Sequence, residues 1–216
     1  RKYAENDVLK DNNGAPYVGV FYLNVKSGAL GNGHVAMMLL RSDDTGDLYS
    51  YVGDSKHFWT VVEGYNDANV NHAYGLDLEN ILGERREKSE YTFSVINRRN
   101  ELFSDKYNRA VYFSITNKDG EAMAQAAKET ILSVNGVGYD NPDYNLFSNN
   151  CDQNTREWIR AGGIALDAGH HIAPNKVYEH IVDQINKNNY SNAQYGDLHD
   201  IWCKIHSNGR ECTTSD

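Results

Sequence analysis

Every segment with strand character precedes every segment with clear helix character, and this order restricts the fold more than any other feature. YVGVFYLNV (17–25), GHVAMMLLR (33–41) and LYSYVG (48–53) are rich in β-branched, aromatic and aliphatic residues, and Gly, Asn, Asp and Ser clusters separate them. YTFSVINR (91–98) and AVYFSIT (110–116) read the same way. Three helices follow. EAMAQAAKETILSV (121–134) lies between Asp119-Gly120 and Asn135-Gly136. A second opens at Cys151 and closes at Gly162-Gly163, and a third runs from Pro174 through NKVYEHIVDQI with Val177, Ile181 and Ile185 on one face. Strands grouped ahead of helices predict an α+β domain: an antiparallel sheet of about five strands packed against the cysteine-bearing helix and two further helices.

At 216 residues and 40% hydrophobic the chain can fill one core, so residues 1–216 are expected to form a single domain and a monomer. Residues 54–90 show no clear period and read as an excursion near the sheet edge, and a polar, Tyr-containing tail starts at about residue 188. A net charge of −9, with no run of Lys or Arg longer than a pair such as Arg85-Arg86, argues against nucleic acid as a partner. No stretch approaches the roughly 20 apolar residues of a spanning helix.

Three cysteines divide into Cys151 alone and Cys203 with Cys212 near the end of the sequence. Sequence proximity makes the tail pair the natural partners and leaves Cys151 unpaired. A Cys203–Cys212 disulfide implies an oxidising destination such as a periplasm, while two reduced tail cysteines fit a cytosolic protein equally well.

Cys151 stands in NNCDQ at the first turn of its helix. Unpaired N–H groups and the positive end of the helix dipole stabilise a thiolate there, and the Cys151 amide, with Asn149 or Asn150, can stabilise an oxyanion. The competing reading is a small buried hydrophobe, because Cys151, Thr155, Trp158 and Gly162 share a face. A thiol nucleophile normally needs a base. His34 opens the apolar strand after SGALGNG, where a polar ring requires either a catalytic reason or a loop carbonyl to satisfy it. If SDDTG (42–46) is the hairpin loop, Arg41 faces Asp47 and His34 faces Asp54, which makes Asp54 the orienting group, with Glu63 in reserve. Gly53-Asp54-Ser55 is also compatible with an ordinary turn. His170-His171 lacks the spacing of a helical metal pair and nothing completes a zinc site, so neither metal nor cofactor is expected.

Together, GNGHVAMMLL, YSYVGD, YNLFSNNCDQNTREWIRAGG and IAPNKVYEHI resemble the circularly permuted branch of the papain-like cysteine hydrolases, the NlpC-like superfamily. In that branch the histidine strand precedes the cysteine helix. The resemblance covers about a third of the chain and implies a papain-like fold with Cys151 as nucleophile, His34 as base and Asp54 near the third polar position. Asn150 and Asn149 would assist the oxyanion, and Gly33 would border the cleft. It further implies an amidase that cuts peptide bonds in peptidoglycan stem peptides. Such enzymes act as interbacterial toxins delivered by a type VI-like secretion machine into a target periplasm, with a cognate immunity protein as partner. Alternatives are a lipid acyltransferase or thioesterase of the lecithin:retinol acyltransferase-like type, a ubiquitin-like isopeptidase, and a non-enzymatic binding module built on the fifteen tyrosines.

Overall fold

The computed structural model describes residues 14–28, 31–53, 66–86, 90–96, 102–134 and 143–206. Nine strands and five helices follow in chain order: β1 Tyr17–Val25, β2 His34–Arg41, β3 Thr45–Gly53, β4 Asn66–Asp77, α1 Leu78–Leu82, β5 Tyr91–Ile96, β6 Leu102–Tyr107, β7 Arg109–Ser114, α2 Asn117–Val134, β8 Asp143–Tyr144, α3 Cys151–Ala161, α4 Pro174–Asn186, β9 Ala193–Asp197 and α5 Leu198–His206. Seven strands form one sheet in the order β8-β4-β3-β2-β1-β7-β9, and β5 and β6 form a separate hairpin. The pairings are antiparallel throughout.

The sheet is buried on both faces, so β1 and β2 read as nearly continuous apolar runs rather than alternating ones. On one face Val20, Tyr22, Val35, Met37 and Tyr49 pack against Met123 and Ile131 of α2, Trp158 and Ile159 of α3, and Val177 and Ile181 of α4. On the other, Phe21, Leu23, Met38 and Leu48 pack against Leu78 of α1, Phe93 and Tyr107 of the hairpin, and Leu198, Ile201 and Trp202 of α5.

The α+β class and the antiparallel sheet agree with the sequence pattern, and the sheet is larger than expected. β5 is not part of it. β4 and α1 come from the segment read as an aperiodic excursion, and β9 and α5 from the segment read as a polar tail. β9 is half-buried along its length and offers no alternation to read. α5 does carry a signal, with Leu198, Ile201 and Trp202 buried at helical spacing. α2 begins at Asn117, four residues before the predicted start, because Gly120 lies inside the helix. A Cβ there would sit 2.5 Å from Cβ of Tyr17, so glycine serves close helix–strand packing and does not mark the helix start.

Candidate active site

Cys151 is the first residue of α3, and a reciprocal capping box fixes it there. Asn150 Oδ1 accepts from Gln153 N at 2.9 Å, and Gln153 Oε1 accepts from Asn150 N at 3.0 Å. Behind the thiol, buried Asp152 accepts from Tyr22 Oη at 2.6 Å and Arg156 Nε at 2.9 Å, which ties the first turn of α3 to the middle of β1. Burial raises the Asp152 carboxyl above its ordinary range even though the Arg156 charge and both hydrogen bonds oppose it.

His34 opens β2 and pairs with Val25. Its Nε2 lies 2.7 Å from Ser50 Oγ, and its ring hydrogen-bonds the Cys151 side chain. With Nε2 engaged by Ser50, Nδ1 is the nitrogen left for the thiol. Ser50 also hydrogen-bonds the Tyr107 hydroxyl, which donates to Asp105 Oδ2 at 3.5 Å. Ser50 thus links the His34 ring to Tyr107, which donates in turn to the Asp105 carboxylate. Cys151 belongs to the core of one sheet face and Tyr107 to that of the other, so this line passes around the end of the sheet where β2 begins.

The electrostatics follow from this geometry. Burial alone would lower the affinity of His34 for a proton, but the negative charge of Cys151, their hydrogen bond and the Asp105 carboxylate outweigh it. His34 consequently titrates above its ordinary value. Burial, the Cys151 charge and a hydrogen bond to the Cys151 side chain push the Tyr144 hydroxyl far above its usual range. That hydroxyl also accepts from the Cys151 backbone N–H, so a neutral O–H donor stands beside both sulfur and amide. Tyr144 is held by stacking on Tyr51, with centroids 5.7 Å apart.

The loop before His34 is clamped from α4. Asn175 Nδ2 donates to Lys26 O at 3.0 Å and Gly31 O at 2.9 Å, and Asn175 N donates to Asn32 O at 3.0 Å. Asn24, fully buried, donates to both His34 O and Asn175 Oδ1 and accepts from Arg109 Nε at 2.6 Å. Gly33 has φ +86, and a Cβ on it would lie 2.1 Å from Asn175 Oδ1, so glycine is required at this border of the cleft.

The structure thus brings Cys151, His34 and Gly33 together. Asp54 and Glu63 lie outside the described residues, and the orienting contact to His34 comes from Ser50. The hairpin register explains the difference. Leu40 pairs with Gly46 and Met37 with Tyr49, a shift of two residues from the expected register, because Ser42–Asp44 form a three-residue loop with Asp44 in the left-handed region at φ 63. Carried on to the start of β2, this register sets Val52 opposite His34 and Ser50 opposite Ala36, so Ser50 reaches the His34 ring diagonally along the same face. The asparagines are engaged at the start of the helix. Asn150 caps α3 and donates to Leu146 O at 2.8 Å, and Asn149 donates to Tyr51 Oη and accepts from Asn154. Their side chains hold the start of α3, and the Tyr144 hydroxyl is the group beside the Cys151 side chain and its backbone N–H. Seven residues before the cysteine and outside any recognisable pattern, Tyr144 carried no sequence signal.

A cavity of about 210 Å³ opens on Cys151 and His34. Among the described residues no cluster of three or more His, Cys, Asp or Glu side chains can hold a metal ion. Cys151 is a free thiol, and Cys203 is disulfide-bonded. No helix among the described residues is long and apolar enough to cross a membrane. Comparison with protein-family models, with curated proteins and with solved structures found no match.

Proposed function

We propose that the chain is a cysteine hydrolase of the permuted papain-like type that cleaves peptide or amide bonds, with Cys151 as nucleophile and His34 as base. The observation that carries this reading is the continuous line Cys151–His34–Ser50–Tyr107–Asp105, with the thiol at a capped helix N-terminus. A buried structural cysteine has no use for an imidazole whose second nitrogen is held by a hydrogen-bonded relay.

In the first half-reaction His34 Nδ1 takes the Cys151 proton and the thiolate attacks the carbonyl carbon. Charge develops on the carbonyl oxygen, and the Tyr144 hydroxyl beside Sγ is the donor that stabilises it. Protonated His34 passes its proton to the amine as the C–N bond breaks, which leaves a thioester on Sγ. In the second, His34 deprotonates a water that attacks the thioester, and the released thiol is reprotonated. The raised proton affinity of His34 suits the donor step.

The substrate assigned on the resemblance is the stem peptide of peptidoglycan, attacked as an antibacterial effector in a target periplasm; the disulfide at Cys203 fits that compartment. The test is digestion of purified peptidoglycan and of isolated stem peptides by wild type, Cys151→Ala and His34→Ala, with products read by mass spectrometry. The reading expects cleavage by wild type alone. Undiminished cleavage by Cys151→Ala overturns it.

A further inference from the structure

The cavity at the thiol differs in character from the rest of a chain whose net charge is −9. Leu146, Phe147, Ile172, Ala173 and Pro174 give it a mainly apolar wall, uncharged Asn32, Tyr144 and Asn150 complete it beside Gly33 and the catalytic pair, and among the described residues no Asp, Glu, Lys or Arg lines it. Two of those side chains stay open to water, Phe147 at 60% and Ile172 at 48% exposed. Large apolar groups left in water forfeit the free energy their burial would return, and here both stand at the mouth of one cavity.

Both walls are held before any ligand arrives. Asn145 Oδ1 accepts from the backbone N–H of Phe147 at 2.8 Å and of Ser148 at 3.3 Å, and Asn145 and Asn149 form a two-way backbone bridge that closes this turn directly before α3. On the opposite side the Ile172–Pro174 segment leads into α4, whose Asn175 is bonded to the loop bearing Gly33. Charged groups occur elsewhere. A different cavity, reached from the far side of the first turns of α4, is lined by Lys26, Arg109, Glu179 and Asp197.

We infer that the cavity beside Cys151 is a specificity subsite for one uncharged, apolar side chain flanking the bond under attack. This deepens the reading of Cys151 as a nucleophile and rests on it. An ionised side chain packed among Leu146, Phe147, Ile172 and Pro174, away from the catalytic pair, would lose its hydration with no charged group beside it to replace it. At about 210 Å³ the space is below the 300–1,000 Å³ usual for enclosing a drug-sized ligand, and it suits a single side chain rather than an extended acyl chain. Phe147 and Ile172 are therefore specificity residues, and the substrate class is a peptide with an aliphatic or aromatic residue next to the cleaved amide.

The test is the rate at which N-acetyl amino-acid chloromethyl ketones bearing Leu, Asp or Lys side chains alkylate Cys151, followed by intact mass. The Sγ–carbon bond forms and chloride leaves, so the readout needs no natural substrate. Iodoacetamide, which fills no subsite, serves as the reference. The Leu reagent should react roughly 10- to 100-fold faster than the other two after normalisation to iodoacetamide. Ile172→Arg, a change at a half-exposed loop position, should remove most of that advantage and favour the Asp reagent over the Lys reagent. Equal rates for the three reagents overturn the subsite while leaving the nucleophile in place. A reagent carrying an unbranched twelve-carbon chain that outpaces all three also overturns it, in favour of an acyl chain. Failure of every reagent, iodoacetamide included, to modify Cys151 overturns the nucleophile and the subsite with it.

Discussion

Ser50 Oγ lies 2.7 Å from His34 Nε2, within hydrogen-bond reach of the ring that bonds the Cys151 side chain. Ser50 is hydrogen-bonded in turn to Tyr107. Ser50→Ala should lower kcat/KM roughly 10- to 100-fold by freeing the ring, with the cleavage pattern unchanged. Ser50→Thr should recover part of the loss. Full activity in Ser50→Ala would remove Ser50 from the orienting role.

His34 also carries a pH prediction. Its proton affinity is raised because the Cys151 charge and hydrogen bond overcome a burial that acts the other way. In Cys151→Ala the opposing burial is left with only the Asp105 charge against it, so the His34 ring should titrate lower than in wild type. NMR of the His34 ring resonances measures the direction, and an unchanged or higher value contradicts the pairing. The raised folded value also means that the stability His34 contributes is fully present below its unfolded pKa of about 6.5 and is lost as pH rises through the folded value.

Tyr144→Phe removes the hydroxyl beside Sγ and the Cys151 amide while keeping the ring stacked on Tyr51. The expected result is a fall in kcat of about 10²- to 10³-fold, the size of losing one oxyanion donor. The rate of Cys151 alkylation should change far less, because alkylation develops no oxyanion. Equal losses in both assays would assign Tyr144 to shaping the thiol instead.

Much of the site was legible from residue types. Cys151 was visible because asparagines precede it and an amphipathic helix follows, and His34 because a polar ring opens an apolar strand. Ser50 is hidden because it is a diagonal neighbour of His34: the three-residue loop with Asp44 in the left-handed region sets the register that places Ser50 opposite Ala36, and counting outward from the loop looks only for directly opposed pairs. Tyr107 and Asp105 reach the site from a hairpin outside the main sheet, a long-range placement no local pattern encodes. Asn150 caps α3 and the Asn149 side chain bonds Tyr51 and Asn154, contacts that residue type alone does not announce. β4 was missed because its sequence, NDANVNHAYGLD, is short of β-branched residues and gains its strand state from pairing along β3.

Gly33→Ala should be costly twice over. The φ of +86 resists any side chain, and the added Cβ meets Asn175. A loss of stability of about 1–3 kcal/mol is expected from the backbone strain, read from chemical denaturation. Asn175→Gly in the same chain should relieve the collision but also remove the bonds from Asn175 to Lys26 O and Gly31 O, so the double variant should not recover the loss.

Asp152→Ala breaks a buried pair and strands Arg156 and the Tyr22 hydroxyl, both of which point at that carboxylate. Destabilisation of about 3 kcal/mol is expected. Asp152→Asn, which still accepts from Tyr22, should cost less. A loss below about 0.5 kcal/mol for the alanine variant would show that Asp152 does not tie α3 to β1.

The most direct test of the account is the alkylation rate of Cys151 by iodoacetamide at neutral pH, measured by intact mass in wild type, His34→Ala and Ser50→Ala. The account predicts that wild type reacts faster than a free cysteine in the same buffer, that His34→Ala loses most of this rate, and that Ser50→Ala falls between them. A wild-type rate no greater than that of free cysteine, and unaffected by His34→Ala, would mean that Cys151 is a buried structural thiol and that the hydrolase reading is wrong.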